Sequence, residues 1–314
     1  MGSVTLIANP AAGRRRAAEA LAVAEQVLRA AGREVRTYLT TGPDHAASLA
    51  QEHAPRSDLL VAVGGDGTLS DVLAGALRWR GSSPGGAELP PLAILPAGTG
   101  NDFAATVGTP TEPWQAAQAL LAGVAHPLDY GRLIPAKVPF ANIVGCGFDA
   151  RVAAWLNRGR RLLPGRAAYL QGVARELATL RSMPARVEVD DQVLEGDFLL
   201  VAIANAQSYG CGMRIAPQAR LTDGLLDVVV VDRLSRLRFI RQFRLVFRGH
   251  HLGLPEVHLL RGAHVRLTTA EPAPVLVDGD VRTETPLEAV VEPGGMPFWL
   301  PPGSPVLRDL DVTP

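Results

Sequence analysis

The sequence predicts an α/β protein with two parts, a doubly wound parallel α/β domain followed by an antiparallel β-sandwich. Up to Ala104, short apolar runs alternate with segments whose apolar residues recur at helical spacing. After Leu128, strand-like runs follow one another without regular helices between them. We therefore expect a first domain at 1–127, a second at 128–296 and a C-terminal tail at 297–314.

The composition fits a folded protein and excludes several classes. At 314 residues, 47% hydrophobic and 20% charged, the chain can bury a large core. Its formal net charge is zero, so nothing in its charge favours nucleic acid as a partner. Cys146 and Cys211 form no CxxC pair, which argues against a thiolate zinc site and for a reducing compartment. The start lacks a signal-peptide pattern and no run of about 18 apolar residues occurs. We expect a cytoplasmic protein.

The first domain is predicted to contain four strands with helices between them. The strands are Val4–Ala8, Val35–Leu39, Asp58–Val63 and Pro91–Leu95. A helix to about Ala31, another at 44–53 and a third after Gly67 connect them. Ligands of doubly wound sheets bind at the carboxyl ends of the strands, where Asn9, Thr40 and Gly64 to Thr68 fall.

The turn Gly64-Gly65-Asp66-Gly67-Thr68 lies between a buried strand and a helix, a layout that binds phosphates. It lacks the Gly-Lys-Ser/Thr ending of a P-loop and the spacing of a dinucleotide fingerprint. A tight turn without a ligand is the alternative. The carboxylate of Asp66 would repel bare phosphate, a conflict that Mg²⁺ bound with ATP removes.

A second glycine turn with a carboxylate, Gly98-Thr99-Gly100-Asn101-Asp102, follows the next strand. Two such turns on neighbouring strand ends would surround one phosphate chain. The alternative is a loop that uses Asn101 and Asp102 only for turn chemistry.

Together, the two turns resemble those of the diacylglycerol kinase catalytic family, bacterial lipid kinases related to sphingosine and ceramide kinases. Asn9-Pro10-x-x-Gly13 matches that family's opening motif. NAD kinases and phosphofructokinases share the first turn, whereas Gly-Thr-Gly-Asn-Asp-Phe points to the lipid kinases. The resemblance implies a nucleotide-binding first domain, a cleft between the domains as active site, and a tail that returns to the first domain. It implies an ATP site at Asn9, Pro10, Gly13, Thr40, Gly64, Gly65, Asp66, Gly67, Thr68, Leu69, Ser70, Thr99, Asn101 and Asp102.

The second domain carries a segment, from Ala216 to Asp227, that resembles the family's structural metal segment. The resemblance implies a side-chain oxygen from Asp223 and backbone carbonyls from Arg220 and Leu225 as ligands. The three acids Asp66, Asp102 and Asp223 would then connect through the ion and its waters. A β-turn aspartate before glycine is a strong alternative for Asp223.

Asp278-Gly279-Asp280 stands where the family carries Asp-Gly-Glu and uses its acids as base and support. By position we expect Asp280 to accept the proton and Asp278 to lie beside it, with Asp66 as the third catalytic acid. Asp280 is one methylene shorter than glutamate, which leaves open which acid takes the proton. The alternative is a hairpin turn.

Other segments suggest partners. Gly145 to Asp149 resembles a family segment near the lipid, to which we assign a structural role. Leu237 to Arg248 is predicted as a helix that mixes apolar residues with arginines, and Arg158, Arg160 and Arg161 make a basic run. These arginines either face water or rest on anionic lipid headgroups at the inner face of the membrane. An exposed edge of the sandwich could pair two copies as a homodimer.

These residues lead to one hypothesis, an ATP- and Mg²⁺-dependent kinase that phosphorylates a lipid hydroxyl, with diacylglycerol as first choice. An NAD kinase-like or other small-molecule kinase is an alternative, because it would share the first domain. A nucleotide- or lipid-binding relative without turnover is another, because Asp280 departs from the family's glutamate.

Overall fold

The computed structural model of the chain describes residues 2–13, 16–83, 85–157 and 166–311. Arg158, Arg160 and Arg161 lie outside these ranges. The chain forms two units, one from Met1–Asp129 with Gly294–Pro314 and the other from Tyr130–Pro293. The predicted fold class is confirmed, because the first unit is a parallel α/β sheet and the second is built from antiparallel strands.

The first unit begins with alternating strands and helices, joined by short connections. In chain order these are β1 (Ser3–Ala8), α1 (Arg16–Ala30), β2 (Glu34–Leu39), α2 (His45–His53), β3 (Leu59–Gly64), α3 (Asp66–Ser82), β4 (Leu92–Pro96), α4 (Asp102–Val107) and α5 (Pro113–Ala122), with a 3₁₀ helix at Ala54–Arg56.

The four strands form a parallel sheet in the order β2-β1-β3-β4. Every residue of β3 is buried, because α1 and α5 pack on one face and α2 and α3 lie on the other. The chain runs from β1 outward to β2 and then returns to β3 on the opposite side of β1. The topological switch point, where open α/β sheets bind ligands, therefore lies between the ends of β1 and β3.

The strand β5 (Val124–Ile134) carries the chain into the second unit. The elements that follow are β6 (Val138–Phe140), β7 (Ile143–Gly147), α6 (Phe148–Asn157), α7 (Arg166–Thr179), β8 (Met183–Val189), β9 (Gln192–Ala204), β10 (Leu226–Asp232), α8 (Arg236–Phe243), two 3₁₀ helices (Arg244–Arg248 and His250–Gly253), β11 (Val257–Gly262), β12 (His264–Thr269), β13 (Pro274–Val277), β14 (Asp280–Glu284), β15 (Leu287–Leu300) and α9 (Pro305–Asp311).

The long strand β9 organises the second unit. Its first half pairs with β8 and its second half pairs with β7 and β10, all antiparallel. Successive side chains of β9 enter different cores, as strand geometry requires. Val201 and Ile203 pack with the strands β7, β8 and β13, whereas Ala202 and Ala204 pack with the loop around Met213.

The strand β15 takes the chain back to the first unit, where Phe298 pairs in parallel with Leu92 of β4. Phe298 also packs edge-on against Phe103, with ring centroids 5.1 Å apart. The buried Ser304 hydroxyl then donates a 2.7 Å hydrogen bond to the Val107 carbonyl at the end of α4. No helix in the described part of the chain combines the length and apolar character needed to cross a membrane.

Candidate functional site

Three turns that follow β1, β3 and β4 contact one another through their backbones. Gly13 has a positive φ of 55°, and a Cβ atom there would lie 2.0 Å from the Ala97 carbonyl oxygen. A Cβ atom on Gly98 would lie 2.6 Å from the Cα of Gly65. Any larger residue would push these turns apart, so the glycines are required for the turns to meet.

Hydrogen bonds fix the same contacts. The Ala97 N–H donates to the Gly64 carbonyl at 2.8 Å, and the Asn9 N–H donates to the Val63 carbonyl at 3.0 Å. Asn101, in the left-handed region at φ 58°, accepts from the Gly98 N–H at 2.8 Å and donates to the Gly98 carbonyl at 3.1 Å. The Asn101 side chain therefore closes its own loop.

Asp66 joins the second and third turns. It is the first residue of α3, and its carboxylate accepts the N–H groups of Asp102 at 3.1 Å and Phe103 at 2.9 Å. The carboxylate thus caps the start of α4 from a neighbouring helix. The structure brings Asp66 and Asp102 together. Each carboxylate oxygen of Asp66 still has a second lone pair that could face a cation.

The other residues expected at the nucleotide follow the same strand ends. Thr40 comes directly after β2, and its N–H donates to the Ala8 carbonyl at 2.9 Å. Thr68, Leu69 and Ser70 are buried in the first turn of α3, whereas Pro10 and Thr99 are exposed. The first unit therefore gathers the predicted residues at one edge of its sheet.

In the second unit, Asp278 and Asp280 have different surroundings. Asp278 is buried, and its carboxylate accepts the N–H groups of Ala141 at 2.7 Å, Asn142 at 2.9 Å and Ile143 at 3.0 Å. It holds the turn that precedes β7. The Asp280 side chain is 59% exposed, and its Oδ2 lies 3.7 Å from Nη2 of Arg282. Of the two acids, Asp280 is therefore the one exposed to solvent.

Asp223, expected at a structural metal, has an arginine beside it. Its Oδ1 accepts the Leu225 N–H at 3.1 Å, and its Oδ2 accepts from Arg261. The Arg261 Nε also lies 3.2 Å from the buried Oδ1 of Asp227. Burial raises the pKa of Asp227 to about 6, although the positive charge of Arg261 opposes this.

The donor set does not fit the metal that the resemblance implies. Arg220 is exposed in the same loop, and Arg261 already brings a positive charge to the carboxylate of Asp223.

The second unit also contains an apolar pocket with about 690 Å³ of space, part of it open to solvent. Its floor comes from β9 and β10, and its wall comes from the start of α6 and from α8. Aliphatic and aromatic side chains form most of the lining, among them Phe148, Leu199, Val231, Phe239, Phe243 and Leu254. The sequence did not predict this pocket.

One carboxyl group lines the pocket. Asp149 is buried, its Oδ1 accepts the Ala150 N–H at 2.7 Å, and its Oδ2 accepts from the Tyr209 hydroxyl at 3.0 Å. Burial raises the pKa of Asp149 to about 6. A Cβ atom on Gly145 would lie 1.9 Å from Asp149 Oδ2. Gly145, four residues before the aspartate, is the sequence signal for this site, because it leaves room for the carboxylate.

Comparisons with known proteins agree with these two units. The model of the diacylglycerol kinase catalytic domain matches residues 3–133, and the YegS C-terminal NAD kinase beta sandwich-like domain matches residues 142–298. The chain is 30% identical over 292 residues to a diacylglycerol kinase of Bacillus subtilis, covering 92% of this chain and 93% of the relative.

Two further comparisons cover nearly the whole chain. It is 34% identical over 303 residues to a probable lipid kinase, YegS-like, of Pseudomonas aeruginosa, covering 95% of each protein. The solved structure of a putative diacylglycerol kinase from Bacillus anthracis is similar, with a TM-score of 0.75 and 26% identity. That similarity covers 96% of this chain and 99% of the other.

We expect Asp149→Asn to change how stability depends on pH. Because the folded pKa of about 6 lies above the ordinary 3.8, the fold favours the protonated carboxyl group. This stabilisation is complete below pH 3.8 and is lost as the pH rises through about 6. The asparagine side chain stays neutral. Between about pH 4 and about pH 7 the natural chain should therefore lose up to about 3 kcal/mol more of its unfolding free energy than the variant.

Urea unfolding at the two pH values measures this difference. Asp227 titrates in both proteins, so its contribution cancels. Parallel pH dependences of the two proteins would contradict the assignment.

Proposed function

We propose that this chain, which belongs to the diacylglycerol kinase catalytic-domain family, transfers the γ-phosphoryl group of ATP to a lipid hydroxyl. The proposed acceptor is diacylglycerol, as in the names of similar diacylglycerol kinases, and its phosphorylation would yield phosphatidic acid. The observation that carries the lipid part of the proposal is the apolar pocket of the second unit. A pocket with this lining suits an acyl chain and offers few partners to a polar acceptor such as NAD.

The glycine turns support the nucleotide half of the proposal. They lie at the switch point of the sheet, and the turn after β3 leads directly into α3. ATP enters as its Mg²⁺ complex, and the remaining lone pairs of Asp66 and the carboxylate of Asp102 are the groups proposed to meet that ion or its waters. Phosphoryl transfer depends mainly on such positioning and charge neutralisation.

Asp280 is the proposed base. It takes the proton from the acceptor hydroxyl while that oxygen attacks the γ-phosphorus, and the bond from this phosphorus to the leaving oxygen of ADP breaks. Asp278 supports it indirectly by holding the backbone at Ala141 to Ile143. The shorter side chain of Asp280 reaches less far than glutamate, but its exposure leaves it accessible.

Incubation with γ-labelled ATP, Mg²⁺ and diacylglycerol in detergent micelles tests the proposal. We expect labelled phosphatidic acid, and Asp280→Asn should lower its rate of formation by about 10²–10⁴-fold, the usual contribution of a positioned base. The unfolding temperature of this variant should stay unchanged, because the Asp280 side chain is exposed.

Asp191→Asn, at an exposed aspartate of the same unit, is the matched control and should keep full activity. A parallel reaction contains NAD in place of diacylglycerol, and label in phosphorylated NAD would favour the small-molecule kinase. No labelled product with either acceptor would favour a relative without turnover.

We expect Leu254→Trp to shift the preferred acyl length. Leu254 is a half-buried residue of the pocket lining, and the larger indole would fill part of the space for the chain. Diacylglycerols with short acyl chains should be phosphorylated nearly as before, whereas long ones should show a raised KM. Val193→Trp, at an exposed aliphatic residue of β9 outside the pocket, should change neither KM. An equal effect of both variants on both lipids would refute the pocket as the acyl site.

The surface around α8 is proposed to contact the membrane. Leu237, Ile240 and Phe247 are exposed, and Arg241, Arg244 and Arg248 are exposed among them. Apolar residues flanked by arginines suit an anionic bilayer surface.

Co-sedimentation with vesicles of phosphatidylcholine, with or without phosphatidylglycerol, tests this surface. Binding should require the anionic lipid and should weaken at least several-fold in Ile240→Asp, whereas Val193→Asp should bind like the natural chain. Equal binding to both vesicle types at low salt would remove this part of the proposal.

A further inference from the structure

We propose that the guanidinium group of Arg261 supplies the positive charge that holds the loop at Asp223, so that the second unit needs no divalent cation there. The inference concerns stability and is independent of the acceptor lipid. Arg261 would take the place of the structural metal that the family resemblance implies.

The strand register places the arginine. Asp227 on β10 and Arg261 on β11 are direct cross-strand partners, and Asp223 lies in the loop just before β10. From its position in the sheet, Arg261 reaches both acids, with Nη2 at Asp223 Oδ2 and Nε 3.2 Å from Asp227 Oδ1. Two paired strands therefore fix the positive charge in this position.

The burial of Asp227 explains why a positive charge is needed. Asp227 is only 1% exposed, and apart from the Arg261 Nε beside Oδ1 its carboxylate oxygens have no hydrogen-bond partner among the described residues. A buried carboxylate without hydrogen bonds is costly unless a cation lies beside it. Asp223 adds a second negative charge nearby, and it is half-buried. Among the described residues, Arg261 is the positively charged side chain that contacts both carboxylates.

A divalent cation at these acids would compete with the same guanidinium group. Coulomb repulsion between Mg²⁺ and an arginine held at contact distance opposes its binding. Once the arginine is removed, the two carboxylates would be available as oxygen ligands, which Mg²⁺ prefers. The variant should then show a metal dependence that the natural chain lacks.

The cross-strand pair of Arg266 and Glu288, on β12 and β15, offers a matched comparison. Both side chains are substantially exposed, so this pair is a surface ion pair of little consequence for stability. Arg266→Ala removes the same chemical group from the same kind of strand position. The difference between the two arginines is the buried Asp227.

Thermal unfolding without nucleotide, in EDTA or in Mg²⁺, tests the inference. The natural chain, Arg261→Lys and Arg266→Ala should each unfold at the same temperature in both buffers. Arg261→Ala should unfold several degrees lower in EDTA and recover part of this loss in Mg²⁺. Arg261→Ala combined with Asp223→Asn should not recover, because one of the two carboxylates is then missing.

Two results would overturn the inference. A natural chain that unfolds at a lower temperature in EDTA than in Mg²⁺ would show that a metal ion stabilises the fold. An Arg261→Ala variant as stable as Arg266→Ala in EDTA, without a response to Mg²⁺, would show that Arg261 is an ordinary surface arginine.

Discussion

The first unit depends on the close approach of two loops at Gly65 and Gly98. Their backbones meet where a single methyl group on Gly98 would come within 2.6 Å of the neighbouring Cα. The Asp66 carboxylate then fastens the start of α4 to the start of α3. The predicted nucleotide residues take their positions from this contact, because all three turns begin at ends of strands in one sheet. The glycines are thus required first for the packing of the loops. The open backbone that a phosphate of the predicted nucleotide would approach is a result of that packing.

Aspartates elsewhere in the chain use their carboxylates in the same way. Asp278 accepts three backbone N–H groups before β7, Asp190 accepts those of Ala263 and His264, and Asp58 accepts those of Gly2 and Ser3. At Asp58 these bonds hold the pKa of the carboxyl group below its usual value. Each carboxylate satisfies donors that would otherwise lack a partner in an irregular loop. An aspartate in a turn is therefore structural first, and exposure separates Asp280 from its buried neighbour Asp278.

The sequence predicted the first unit well because its signals are local. Three of the four strands, β1, β3 and β4, are mostly apolar runs in which nearly every residue is buried. In the second unit, the Gly-Cys-Gly ending of β7 has no alternating pattern that would indicate a strand. The segment from Leu237 to Arg248 was predicted as one helix, whereas α8 ends at Phe243 and a 3₁₀ helix follows. The family resemblance placed Phe148 and Asp149 near the lipid, but the pocket that they line and the partners of Asp278 were missed, because these contacts join residues 60 to 137 positions apart.

The short helix α8 connects the pocket with the outer surface of the second unit. Its eight residues would be marginal as an isolated helix, and none of them is buried. Phe239 and Phe243 continue a row of aromatic rings that starts at Phe148 and ends at Phe247, with centroids 4.9 to 5.8 Å apart. Ile240 and Leu237 are exposed to water. Covering such a side chain with lipid would gain roughly 1.5–3 kcal/mol. Under the proposed function, the same helix would be stabilised by the bilayer outside and by an acyl chain inside.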